Sequence, residues 1–161
     1  MGTTLLELVV VLSIVGIIAV VAVPKFVGTG AFESRGFYDR AEAIVRFAQK
    51  TAIAQRRNVF VVVPIAGNRI SACYDDACAS RVLTPMDFPR TPSMSSALAN
   101  CANDTTWLCA GTPSGVTLSV TSFSFDGLGR PSAATTIVFS STIVGDVARQ
   151  IAIAAETGYV Q

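Results

Sequence analysis

Four cysteines, one isolated glutamate and no histidine bound the chemistry open to this 161-residue chain. Without histidine there is no Ser-His or Cys-His nucleophile pair, no imidazole metal ligand and no side chain that ordinarily titrates near neutral pH. The cysteines, Cys73, Cys78, Cys101 and Cys109, all lie in the C-terminal part. Neither pair has the C-x-x-C spacing of a structural zinc site, so no metal is expected. An even set behind a membrane-targeting N-terminus fits two disulfides in an oxidising compartment. Three connectivities are open, and the local pairs Cys73–Cys78 and Cys101–Cys109 are favoured because each closes a short loop. Trp107 lies inside the second of these loops. A rigid aromatic there is a possible ligand contact by stacking, against the blander role of plugging the loop onto the core.

The glutamate is Glu7. It heads the stretch Leu8–Val23, which carries no charge and is interrupted only by Ser13 and Gly16. A carboxylate beside such a stretch costs several kcal/mol if it enters hydrocarbon unpaired, so a partner must neutralise it. Sixteen helical residues span about 24 Å against a hydrocarbon thickness of roughly 30 Å; Leu5 and Leu6 extend the segment to a marginal spanner. It makes a poor secretory signal, with no basic n-region and no A-x-A site before Pro24.

Elsewhere the charges exclude more than they propose. Twelve Lys and Arg against eleven Asp and Glu leave a net charge of +1. No strong field is available to draw nucleic acid or anionic lipid. Arg35, Arg40, Arg46 and Lys50 are interleaved with Glu33, Asp39 and Glu42, and Arg56-Arg57 is the only basic doublet in the sequence. Phosphate capture needs a denser cluster, so DNA binding is not expected. "GLGRPS" lacks the glycine spacing and strand–helix setting of a nucleotide loop; its glycines read as positive-φ turn residues. No catalytic constellation and no cofactor site emerge.

The positioning elements follow from periodicity. After Pro24 and "VGTGAFES", apolar residues return at Phe37, Ala41, Ile44, Val45, Ala48 and Ala52, the stripe of an amphipathic helix. Residues 3–27 thus read as a hydrophobic half and 28–57 as an amphipathic half of one long helix, weakened near Gly28–Gly30. Arg56 and Arg57 suit a helix C-terminus, with Asn58 as the stop. Residues 58–161 read as a β-rich domain. "NVFVVVPI" and "NRISACY" form a hairpin about Ala66-Gly67-Asn68, and "GVTLSVTSFSFD" alternates as one strand with Val116, Leu118 and Val120 on one side. "ATTIVFSS" and "ARQIAIAAET" follow. A disulfide-pinned loop occupies 73–114, irregular from 75 to 114 apart from a short strand near Val82 and Leu83. Six to seven strands after one long helix predict an α+β fold, an antiparallel β-sheet packed on the amphipathic half.

The N-terminal block "LLELVVVLSIVGIIAVVAVP", two residues after Gly2, resembles the class III signal region of type IV pilins and type II secretion pseudopilins. "FESRGFYDRAEAIVRFAQKTAIAQRRNVFV", "FSFDGLGRPS" and "IAAETGYVQ" are similar to the GspH/FimT group, most like those of MSHA-type pili. The resemblance implies a pilin-like fold and cleavage by a prepilin peptidase between Gly2 and Thr3, with methylation of the new amine. Thr3 stands where the family usually begins with Phe or Met. Residues 1–2 would be the remnant of the leader, and 3–27 the transmembrane and filament-core helix. Gly16 and Pro24 fall at the family's helix-softening positions, and Glu7 at the position that pairs with a neighbouring subunit's N-terminal amine.

The implied function is a non-enzymatic, minor, tip-associated subunit of a type IV pilus-like filament. Its partners would be other pilin subunits, the prepilin peptidase and an inner-membrane assembly platform. Its location would be the bacterial inner membrane, with the domain in the periplasm, and then the pilus or pseudopilus. A type II secretion minor pseudopilin is the alternative, and a DNA-capturing pilin a more distant one.

Overall fold

The computed structural model describes residues 5–26, 30–85 and 95–161, with side chains described in all but 19–26 and 95–96. Two helices come first: α1 (Leu5–Phe26) and α2 (Gly30–Gln55). The expected weak point at Gly28–Gly30 falls mostly outside the described residues. The side chains of the predicted stripe are all buried, joined by Ser34 and Thr51. Phe37, Ile44 and Val45 supply bulk, each stabilising by roughly 1.5–3 kcal/mol when fully buried. Ala41, Ala48 and Ala52 keep the strip narrow enough for a sheet to lie on it.

Arg56 ends α2 in the left-handed region at φ 49°. Its N–H bonds the Ile53 carbonyl at 3.3 Å and the Arg57 N–H reaches Ala52 at 3.2 Å. These two bonds are the reverse-turn cap that usually uses glycine, and they satisfy carbonyls the helix leaves open.

Beyond the cap run β1 (Val59–Val63), β2 (Arg69–Cys73), a short α3 (Ser95–Asn100), β3 (Cys109–Gly111), β4 (Val116–Leu118), β5 (Thr121–Phe125), β6 (Thr135–Ser141) and β7 (Arg149–Ile153). They form an antiparallel four-stranded sheet in the order β3-β2-β1-β5 and a second sheet in the order β4-β6-β7. In β1, Val59, Val61 and Val63 are buried and alternate with half-buried Phe60 and Val62. In β2 the alternation fails, because Ser71 and Cys73 on the outer side are also covered. The Cys73–Cys78 disulfide and the segment around Trp107 lie over them.

Two strand expectations need correction. "GVTLSVTSFSFD" is not one strand but β4 and β5, in different sheets. At the crossover the Ser119 hydroxyl accepts the Val138 N–H at 2.9 Å, and Val120, expected on the inner side, is exposed. The alternating pattern continues across a break that only pairing partners define. Residues 75–114 are also less irregular than expected, since α3 and β3 belong to them. Gly111 of β3 lies so close to α3 that a Cβ there would strike the Ala97 carbonyl. Elements of six and three residues are too short to show a period.

Two polar ties hold loops to α2. Gln49 Nε2 donates to the Gly129 carbonyl at 2.9 Å and the Thr157 carbonyl at 3.3 Å, joining the "GLGRPS" turn to the C-terminal segment. Gly158 sits in that junction at φ +65°, where a Cβ would collide with the Gly129 carbonyl. Nearer the start of α2, the Asp146 side chain is only 1% exposed and meets Arg149 Nη2 at 3.1 Å. The Ser34 hydroxyl, followed by that of Ser141 and the Arg149 charge, holds its carboxyl below the usual carboxylate range against the opposing effect of burial.

Gln49→Leu should strand two loop carbonyls and cost about 1–3 kcal/mol, read as a lower thermal midpoint of the full chain in detergent. An unchanged midpoint would show that water replaces the amide. Because Asp146 titrates lower when folded, its stabilising effect is fully present above the unfolded carboxylate pKa of about 3.9 and is lost as pH falls below it. The acid-side slope of stability should therefore be shallower in Asp146→Asn than in the parent; equal slopes would remove Asp146 from the account.

Candidate assembly surface and disulfide-pinned lobe

The first candidate surface is α1. Every side chain from Leu5 to Ile18 is exposed, so among the described residues no other part of the chain covers this apolar run. Glu7 lies in the first turn, where the helix dipole favours a carboxylate. The Ser13 hydroxyl turns back to the Val9 carbonyl at 2.8 Å, which competes with the helix ladder and favours bending there. Gly16 has nothing within 4 Å of the place a Cβ would take, so its surroundings leave room for a close neighbour. The backbone of Pro24 falls in the last turn of α1, where a missing N–H removes one ladder bond. Gly2 and Thr3 lie outside the described residues. Among the described residues no helix is long and apolar enough to cross a membrane; those of α1 whose side chains are described end at Ile18.

The second candidate is the lobe over β2. Its disulfides join Cys73 to Cys78, with Cα atoms 5.1 Å apart, and Cys101 to Cys109, 5.9 Å apart. Trp107 is 4% exposed and packs with Cys73 and Cys101. Its indole N–H donates to the Ala72 carbonyl at 3.1 Å. The Arg81 and Arg69 guanidinium groups lie 4.5 and 5.5 Å from the ring centroid. The ring is therefore a plug between the lobe and β2, and in this state it is not an open platform for a ligand.

Charge fixes the rest of the lobe. Arg81 pairs with Asp104 at 2.7 Å, and Asp104 also accepts the Thr106 hydroxyl at 2.6 Å and N–H at 2.8 Å. Those bonds, the Thr106 hydroxyl first, lower the Asp104 carboxyl to about 2. Asp75 caps the Cys73–Cys78 loop by accepting the Ala79 and Ser80 N–H groups. Tyr74 links the lobe to the end of α2: Arg57 stacks 4.0 Å from its ring, and Gln55 donates to its hydroxyl at 3.0 Å.

A shallow concavity of about 260 Å³ lies along α2, lined by Asp39, Glu42, Ala43, Arg46, Phe47 and Lys50. Glu42 and Arg46 already pair across it at 2.6 Å, and it gathers no nucleophile with a base. Among the described residues no group of His, Cys, Asp or Glu is arranged to hold a metal ion. Sequence reasoning did not single out Gln49 or Asp146. Gln49 reaches partners up to 108 residues away and Asp146 meets Ser34 from the far end of the chain, and the only local hint was that the two glycine-bearing blocks Gln49 joins also carried the family resemblance.

No family model and no curated protein matches the chain. Solved structures do. The type IV minor pilin FimU of Pseudomonas aeruginosa superposes with a TM-score of 0.52 at 14% identity, over 83% of this chain and 90% of that one. The minor pseudopilin EpsH from the type 2 secretion system of Vibrio cholerae has a TM-score of 0.47 at 14% identity, over 82% of this chain and 94% of that one. At such identity the likeness to FimU speaks for architecture alone: this chain has the pilin-like α+β fold, an N-terminal helix packed against an antiparallel β domain.

Proposed function

We propose that this chain is a non-enzymatic minor subunit of a type IV pilus-like filament, held in the inner membrane by α1 before assembly and placed at or near the filament tip. The observation that carries the reading is the uncovered apolar surface from Leu5 to Ile18, attached to a domain with a minor-pilin architecture. Such a surface needs an apolar environment outside its own chain. A bilayer supplies it first, with the domain on the periplasmic side. Helices of neighbouring subunits supply it next, as the assembly platform extracts the chain.

Moving an apolar helix from lipid to protein brings little hydrophobic gain, so packing and polar pairs must direct it. Glu7 is suited to this. Cleavage after Gly2 by a prepilin peptidase frees the Thr3 amine, and the amine of one subunit neutralises the Glu7 carboxylate of another. Two charges buried together are tolerated, whereas one left alone costs about 3–5 kcal/mol. Register is thereby selected.

Expressed with a prepilin peptidase, the membrane-extracted chain should begin at Thr3 and carry one added methyl group by intact mass; an uncut chain would count against filament entry. Glu7→Ala should still reach the membrane fraction but enter sheared filaments at least ~10-fold less than the parent, the factor for about 1.4 kcal/mol. Equal incorporation of the two would sink the pairing.

A further inference from the structure

We infer that the end of the domain next to α1 rests in the head-group layer of the bilayer before assembly, seated there by uncharged apolar turns. The inference depends on the membrane residence proposed above.

Several contacts place these turns at one end. Gly30, the first residue of α2, lies against Ile143, and the Gly115 carbonyl accepts the Thr142 N–H at 2.9 Å. Gly67 in the β1–β2 turn bonds Leu118 at 3.0 Å; Leu118 pairs with Phe139, whose ring meets Phe37 of α2 at 5.8 Å between centroids. The β1–β2 turn, the link before β4, the crossover after it and the β6–β7 turn therefore gather near the start of α2. Four residue steps separate Gly30 from Phe26, a reach of at most ~14 Å, so the apolar helix ends beside them.

The chemistry of this end is one-sided. Residues 64–67, 112–115, 119–120 and 142–148 include a single ionisable side chain, Asp146, which is drawn inside against Arg149. Ile65 is 92% exposed and Val144 98%, and Val120 and Val147 are exposed with them. Turn tips ordinarily carry polar residues or glycine. Here the Asp146 N–H closes a turn on the Ile143 carbonyl at 3.1 Å, Gly145 takes φ +83°, and Val144 is held at the tip.

Connections at the far end differ. They carry Arg56 and Arg57, Asp75, Asp76 and Arg81, Asp126 and Arg130, and Glu156. Among the residues whose side chains are described, the charges nearest the apolar turns suit the same reading. Arg69 is turned away onto Trp107 and the Asn100 carbonyl, Glu33 is half-buried, and exposed Arg35 is a cation that anionic head groups attract. An uncharged apolar rim continuous with an apolar helix matches the boundary between acyl chains and head groups.

The test uses the full chain, disulfides intact, reconstituted in vesicles of phosphatidylethanolamine and phosphatidylglycerol containing a doxyl-labelled lipid. An environment-sensitive fluorophore is attached at Val144→Cys, Val147→Cys, Leu128→Cys at the far end, or Leu12→Cys in α1, one per preparation. Several-fold stronger quenching and a blue shift at positions 144 and 147 relative to 128 are expected, with 12 quenched most. Quenching at 12 but not at 144 or 147 would overturn the inference and leave membrane residence standing, with a protein neighbour as the cover for this rim. No quenching at 12 would overturn the membrane reading itself. Equal quenching at 128 and 144 would mean that the domain lies on the surface without orientation, and would overturn the inference too.

Discussion

The domain depends on one narrow strip: the side of α2 on which alanines separate Phe37, Ile44, Val45 and the smaller polar Ser34 and Thr51. The strip allows the four-stranded sheet to lie close along the helix, and the second sheet reaches it through Phe139. Bulk at Ala41, Ala48 or Ala52 would push the sheet away along its whole length, since packed interiors do not absorb added volume without strain. With the strip fixed, the order of strands follows. β1 leaves the Arg56 cap directly, β2 returns beside it, and β5 closes the other flank.

That strip was legible in the sequence because helix periodicity repeats over many residues. The hairpin of β1 and β2 was legible too, from a β-branched run bounded by a glycine turn. The break between β4 and β5 was not. Alternation carries no mark of which neighbour a strand pairs with, and Ser119 acts through a bond to Val138, 19 residues away. α3 and β3 were missed for a related reason, since six and three residues rich in Ser, Ala and Gly fit helix, strand and loop equally well.

The candidate surfaces divide the same way. The uncovered Leu5–Ile18 surface follows from composition, because no amphipathic pattern offers it an inner side. The place of Trp107 does not follow: what settles it is the Ala72 carbonyl 35 residues back and two arginines above the ring. Gln49 and Asp146 are harder still. Each is a single polar residue whose role appears only when distant loops meet it, and a lone Gln or Asp on a helix or turn is usually solvated.

These polar ties explain how one chain can combine a settled domain with a helix whose Leu5–Ile18 surface no described residue covers. Buried α2 residues, two disulfides and the Gln49 and Asp146 links all lie from residue 30 onward. None of these draws on the Leu5–Ile18 surface. The domain's stability is thus separable from whatever covers α1. That separation is what a subunit needs if its helix is to exchange lipid for protein while its folded part stays the same. In the proposed assembly the directing role would fall to the helix's own polar features, Glu7 above all, because the apolar surface alone does not distinguish one cover from the other.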